Sequence, residues 1–284
     1  MLDVVATADG PLDRDTDTPG QVRSAPGGSA ANFAVWTRRL GDPVQFVARL
    51  GDDMLGRALQ EDMRREGVTT LVNFDPNHPT AVLVLLAEGT QRHMMVPLGA
   101  NHFLDEADIP DEAVRSAGWL HLTGYSFFWE GPRRAVQKAI RLARAAGLPI
   151  SLDPSSAGFI RRHGLVLPDS IDLLIPNQEE AATLTGLNDP SAAARRLGEQ
   201  IPLVAVKLGP EGALLCEHGR LVHVPPAPPE GPVVDSTGAG DAWGAAFLHG
   251  LRHGQTPEEA AVRANRIGAR LVTRVGARPI IDLI

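Results

Sequence analysis

The run Asp235-Ser236-Thr237-Gly238-Ala239-Gly240-Asp241, followed directly by Ala242-Trp243-Gly244-Ala245-Ala246-Phe247-Leu248, sets a glycine turn and a carboxylate where a helix begins. The first backbone N–H groups of a helix lack intrahelical partners. With the macrodipole they form an anion site that small residues let a phosphate approach closely. Gly238, Ala239 and Gly240 supply those small residues. The Asp241 carboxylate would repel a bound phosphate unless it had a separate task, and the natural one is to take a proton from an attacking hydroxyl. A carboxylate is a weak base but is ionised at neutral pH. That suits an alcohol attacking phosphorus, where positioning and charge neutralisation lower the barrier more than base strength does. Taken alone, Gly-x-Gly-Asp is also the pattern of an Asp cap after a glycine-rich turn.

A scaffold must carry this turn to a ligand. From about residue 44 onward, helical patterns alternate with short apolar runs, which predicts an α/β fold of crossover units on a mainly parallel sheet. Leu55, Leu59 and Met63 recur at four-residue spacing before Gly67, and a second helix opens at Pro132 and closes at Gly147. The apolar runs 148–152, 171–176 and 203–206 each end on polar residues: Asp153, Asn177 and Lys207. In open α/β sheets the ligand site lies at such carboxyl ends. Residues 213–224 read as a hairpin about Glu217-His218-Gly219-Arg220, and 225–232 as a stiff proline-rich connector. Two stretches break the alternation. Residues 10–26 are rich in Gly, Pro, Asp and Thr, and 72–98 read as strands around the turns Asp75-Pro76-Asn77 and Glu88-Gly89-Thr90. Both are expected to form a small β-rich lid inserted in one domain spanning 1–284.

Composition narrows the partners. A chain of 284 residues, 43% hydrophobic, can bury one large core. A formal charge of −7 without a Lys/Arg cluster argues against nucleic acid and anionic membranes. The single cysteine excludes an intrachain disulfide, no basic-then-apolar leader opens the chain, and the longest aliphatic stretch, 81–87, is too short to span a bilayer. Small-molecule substrates and a cytoplasmic location are the expectation.

Four segments together resemble the ribokinase-like, or PfkB-type, carbohydrate and nucleoside kinases. They are Pro26-Gly27-Gly28-Ser29-Ala30-Ala31-Asn32-Phe33-Ala34, Arg49-Leu50-Gly51-Asp52-Asp53-Met54-Leu55-Gly56, Asn177-Gln178-Glu179-Glu180, and the opening run preceded by Lys207-Leu208-Gly209-Pro210-Glu211-Gly212-Ala213. The resemblance implies a three-layer sandwich with a mainly parallel central sheet and a lid. It implies transfer of the ATP γ-phosphoryl group to a primary hydroxyl, with Asp241 as base and the 238–240 amides as anion hole. Asp3, Gly28 and Asn32 are the implied sugar-binding residues. Asn177, Lys207, Gly209 and Asn265 are implied for the nucleotide, Asn265 toward the adenine, and Glu180 for Mg2+ with Asn177. Asp235 and Thr237, with the loop Arg274-Val275-Gly276, match a K+ site. Asn177 and Glu180 alone also form an ordinary capping pattern, and Lys207 alone a solvated strand end. An exposed lid edge would favour pairing of two copies into a homodimer.

Other readings fit less well. Gly238 to Gly244 has the wrong last spacing for a dinucleotide fingerprint, Gly27-Gly28-Ser29-Ala30-Ala31 lacks the last glycine of a nucleophile elbow, and no P-loop occurs. A non-catalytic sugar or nucleotide sensor on the same fold remains the alternative class, against which Asp241 speaks. Where the resemblance implies Tyr and Arg just before a Gly-Ala-Asn-like stretch in kinases of keto-deoxy sugar acids, this chain has Met94-Met95-Val96-Pro97-Leu98-Gly99-Ala100-Asn101, with no arginine at that spot, so the resemblance favours a neutral pentose or hexose. Tyr125-Ser126-Phe127-Phe128-Trp129 follows a strand and could stack a nucleobase or belong to the core, so a nucleoside kinase is the second reading. The resemblance also implies a full first strand ending at the substrate aspartate. Asp3 is almost the first residue here, so that strand is expected to be shortened, at a cost in stability, or the true start to lie upstream.

Overall fold

Residues 1–12, 14–88, 91–97 and 99–283 are described by the computed structural model, with backbone alone at residues 87, 88, 91, 92 and 94. The chain opens on β1 (Leu2–Ala8) and β2 (Gly20–Pro26). It then runs through α1 (Ser29–Arg39), β3 (Gln45–Gly51), α2 (Met54–Arg65), β4 (Thr69–Asp75), β5 (Val82–Glu88), β6 (Gln91–Met95) and α3 (Asp111–Arg115). Next come β7 (Leu120–Thr123) with α4 (Glu130–Ala145), β8 (Ile150–Asp153) with α5 (Ala157–His163), and β9 (Leu173–Leu174) with α6 (Gln178–Thr185) and α7 (Pro190–Gly198). β10 (Leu203–Lys207), β11 (Ala213–Glu217), β12 (Arg220–Val224), α8 (Ala239–Arg252) and α9 (Pro257–Leu271) complete it.

A six-stranded sheet has the order β12-β11-β10-β9-β8-β7, parallel from β7 to β10 and antiparallel beyond. Side chains alternate across it. Val204 and Val206 of β10 and Leu214 and Cys216 of β11 pack with α3, α4, α6 and α7. Ala205, Ala213 and Leu215 face the other way, onto α1, α8 and α9. Burial on both faces is why these strands read as unbroken apolar runs, and the three-layer α/β sandwich follows from it. Gly67 and Gly147 end their helices at φ 78° and 70°, and the β11–β12 turn places His218 and Gly219 at φ 47° and 83°, as a two-residue hairpin demands.

The small sheet expected to form the lid differs from expectation in membership. It is a four-stranded sheet, β2-β1-β5-β6, in which β1 runs antiparallel to β2 and parallel to β5. Asp3 therefore lies on a lid strand, not on the central sheet, because the aliphatic run of β5 offers β1 a full-length partner. Residues 72–75 leave the lid and belong to β4, which pairs in parallel with β3. Among the described residues of 10–26, only Gly20–Pro26 forms a strand. The turn at 75–77 is present, with the Asp75 carboxylate accepting from the amides of Asn77 and His78 at 2.8 and 3.1 Å. The turn at 88–90 lies outside the described residues at 89 and 90. β3 and β4 form a separate two-stranded sheet, so among the described residues neither the second edge of β3 nor the outer edge of β7 takes a strand. α1 packs against both β3 and β7. No helix among the described residues is long and apolar enough to cross a membrane.

Candidate active site

Asp241 lies in the first turn of α8 and faces a cavity of about 500 Å³. Ser29 Oγ donates to its Oδ1 at 2.7 Å and Asn32 Nδ2 to its Oδ2 at 2.9 Å. Both partners come from the start of α1, which Gly28 brings in at φ 96°, a conformation open to glycine. α1 and α8 approach closely because Gly244 has no side chain. A Cβ there would stand 3.2 Å from Phe33. The chain of contacts continues outward: Asn32 Oδ1 accepts from Arg278 Nε at 2.8 Å, and Arg278 Nη1 donates to Asp62 Oδ2 at 3.0 Å. Trp36 Nε1 fixes the loop before Arg278 by donating to Ala277 O at 3.0 Å. Gly238 turns the chain into α8 at φ 75°, where a Cβ would lie 2.7 Å from Ala277.

Burial raises Asp241 to a pKa of about 6, against the pull of the Ser29 and Asn32 hydrogen bonds, with Asp153 adding to the rise and Lys207 opposing it. The group thus titrates close to neutrality while remaining a carboxylate at pH 7, a useful setting for a base.

The carboxyl ends of β8 and β10 supply a second group of charges. Lys207 Nζ donates to Asp153 Oδ2 at 2.6 Å. Burial opposes the charge on this lysine, yet Asp153 and Glu180 hold its pKa above the usual value. Asn177 caps α6 reciprocally with Glu180: Asn177 Oδ1 accepts from Glu180 N and Glu180 Oε2 accepts from Asn177 N, each at 2.8 Å. Burial pushes Glu180 upward, with Lys207 opposing and Asp153 adding to the rise. Asp3 also reaches the cavity wall, its Oδ1 buried with no hydrogen-bond partner. An orphaned acceptor of this kind is costly unless a ligand hydroxyl meets it. Gly27 makes room for Asp3, whose Oδ2 would stand 1.9 Å from a Cβ at position 27.

One cavity therefore brings together Asp3, Gly28, Asn32, Asn177, Glu180, Lys207, Thr237, Gly238, Gly240 and Asp241. Four of the expected residues stand elsewhere. Ala239 does not line it, and its N–H donates to Ser236 O at 3.1 Å. Asn265 is buried and its amide is committed: Oδ1 accepts from Trp243 Nε1 at 2.8 Å and Nδ2 donates to Pro225 O at 2.8 Å. It therefore ties α9 to α8 and to the connector after β12. Gly209 sits in the turn after β10, outside the cavity wall. Asp235 accepts from Thr237 N and Oγ1 at 2.9 and 2.6 Å and from Gly276 N at 2.8 Å, so it gathers the two loops expected to meet there.

Three participants were missed as site residues. Ser29 stood inside a quoted motif, and Asp153 was already placed at a strand end, so both were within reach of the sequence. Arg278 follows α9 in a tail whose pattern gave no sign of where it would fold. The aromatic segment is partly cavity wall: its Tyr125, Ser126 and Trp129 line the cavity, joined by Phe159 of α5. Tyr125 and Phe159 meet edge to face at 5.6 Å between centroids.

The donor set fits a hard divalent cation. Glu180 is a buried carboxylate on the cavity wall beside the Asn177 cap, and oxygen donors that leave room for water suit Mg2+.

A family model of pfkB family carbohydrate kinases matches residues 1–282. A fructokinase of Escherichia coli is 34% identical over 291 residues, covering 95% of this chain and 92% of that one. Among solved structures, the adenosine kinase of Sinorhizobium meliloti superposes with a TM-score of 0.86 at 26% identity, covering 100% of this chain and 94% of the other. The Arabidopsis thaliana ribokinase complexed with ribose and ATP gives 0.77 at 28% identity, covering 97% and 91%.

Proposed function

The chain belongs to the pfkB family of carbohydrate kinases, and from that premise we propose that it transfers the γ-phosphoryl group of ATP to the hydroxymethyl group of a small neutral sugar, a pentose or hexose. The observation that carries this reading is Asp241, half-buried at the head of α8 with both oxygens oriented by Ser29 and Asn32. A sugar hydroxyl entering there gives its proton to Asp241 as its oxygen attacks phosphorus. The open Oδ1 of Asp3, the Asn32 amide and the backbone at Gly28 hold the other hydroxyls. Gly238 and Gly240 leave the head of α8 bare for the phosphoryl oxygens. Lys207 and Asn177, on the same cavity wall, would meet the β- and γ-phosphates, and Glu180 would hold Mg2+. When bound, that ion neutralises charge on the phosphates and aligns them. Asp62 balances the charge of Arg278, which is consistent with a neutral substrate. Closure of the lid excludes water, the competing nucleophile. A K+ ion at the loops joined by Asp235 is part of the same proposal.

A second reading is a nucleoside kinase, favoured by the aromatic wall of Tyr125, Trp129 and Phe159 and by the likeness to the adenosine kinase. Both are tested by ATP turnover, followed as ADP release, over pentoses, hexoses, sugar acids and nucleosides, with Mg2+ and with K+ or Na+. Turnover of one pentose or hexose, lost in Asp241→Asn, supports the proposal, and turnover of a nucleoside alone replaces it. No ADP with any of them, while a sugar still raises the melting temperature, favours a sensor.

A further inference from the structure

A second cluster of ligating side chains stands apart from the cavity, at the far end of α8. Asp42 lies in the turn between α1 and β3, buried, with its amide N tied to Thr37 O at 3.2 Å. Its Oδ2 meets His249 Nδ1 at 2.9 Å, and its Oδ1 meets His253 Nε2 at 3.0 Å. His249 and His253 are four residues apart, so both rings fall on one face of the helix end, with centroids 4.3 Å apart. The three ligand atoms all lie within 4.8 Å of one another.

We propose that Asp42, His249 and His253 form a binding site for a borderline divalent transition-metal ion such as Zn2+, with water completing a tetrahedron. Zinc sits about 2.0–2.2 Å from imidazole nitrogen and carboxylate oxygen. Tetrahedral ligand atoms at that radius stand roughly 3.3–3.6 Å apart. The contacts of 2.9 and 3.0 Å are made to the two different oxygens of Asp42, so an ion would take one of those oxygens and draw the three ligand atoms, now within 4.8 Å of one another, to that spacing. Two imidazoles and one carboxylate suit Zn2+ and disfavour Mg2+, which prefers oxygen. The carboxyl end of a helix attracts cations, and His253 is the cap of α8. Asp42 is fixed by the backbone around it, whereas the His253 side chain is 57% exposed and gives an entry path. The competing cation is Arg252, whose Nη1 makes a single 3.5 Å contact with Asp42 Oδ1 that a bound ion would displace. His253 lies twelve residues beyond Asp241 on the same helix, about 18 Å along its axis. The site is therefore separate from the cavity, and an ion there would clamp the end of α8 to the α1–β3 turn.

Cobalt(II) is the probe, because its visible absorption intensifies in tetrahedral nitrogen and oxygen surroundings. Titrating the full chain is expected to give a band that saturates at one equivalent and is displaced by Zn2+. The melting temperature should rise with Zn2+ but not with an equal concentration of Mg2+. His253→Gln, at an exposed position, is expected to weaken Co2+ binding at least tenfold. Asp42→Asn should do the same, while Glu180→Gln keeps the band and so separates it from the cavity. The absence of a saturating band, or undiminished binding in His253→Gln, overturns the proposal.

Discussion

Asp241 shows how one residue can serve chemistry at a cost to the fold. Its pKa in the folded chain, about 6, stands above the value near 4 expected when unfolded. The folded state thus keeps a proton that the unfolded state releases, and the stability linked to this group is present below about pH 4 and lost as pH rises through 6. Asp241→Asn removes that loss. It is expected to be more stable than the parent at pH 8, by on the order of 1–3 kcal/mol, with the gap closing toward pH 4. Thermal melts across pH measure this, and a variant less stable than the parent at pH 8 would refute it. In the parent, kcat/KM should fall about tenfold per pH unit below 6 as the base becomes protonated. The glycine turn and this carboxylate were legible in the sequence because a left-handed turn before a helix is specified locally. The Arg278 link to Asn32 was not, since a tail residue 246 positions away shows its destination only in three dimensions. Asn265 was singled out by residue type alone, and its bonds to Trp243 and Pro225 could not be read from the sequence for the same reason.

At the scale of elements, the paired glycine helices and the strand ends of the central sheet were readable because periodicity and caps are short-range signals. Strand partnership was not. Leu2–Ala8 has the composition of a strand but nothing local to say whether it joins the central sheet or the lid, and β5 decides it. The consequence is a gap. Successive side chains of a strand point to opposite faces, yet Phe46, Val47, Ala48, Arg49 and Leu50 all line the cavity, so the edge of β3 faces it. His121 on β7 is half-buried, loss of hydration drives it to a pKa of about 4, and its Nε2 has no partner. Unpaired strand edges beside an apolar space lower stability. An engineered chain carrying a seven-residue apolar strand ahead of Met1 is therefore expected to be more stable by about 2 kcal/mol, or roughly 4–8 °C in midpoint. Differential scanning calorimetry of the two chains decides it, with equal midpoints showing that the edges carry no cost.

For the whole molecule, the same lid that is proposed to close the cavity leaves two sheet edges, β2 and β6, at its borders. β2 is exposed along nearly its whole length, with Val22 72% exposed, and Met95 of β6 is 63% exposed. An edge strand presents a row of backbone donors and acceptors to any second copy. A pair of identical edges related by a two-fold axis would satisfy both at once. Against this stands the formal charge of −7 on each copy, whose repulsion is screened within about 8 Å at physiological ionic strength. The balance predicts a homodimer through the lid that strengthens with salt, unlike an association held by opposite charges. Sedimentation velocity at micromolar concentration is expected to show more dimer at 0.5 M than at 0.05 M NaCl, and Val22→Lys to return the chain toward monomer by placing a charge on the pairing edge. Monomer alone at both salt concentrations would rule out lid pairing. A dimer indifferent to Val22→Lys would move the interface to another surface.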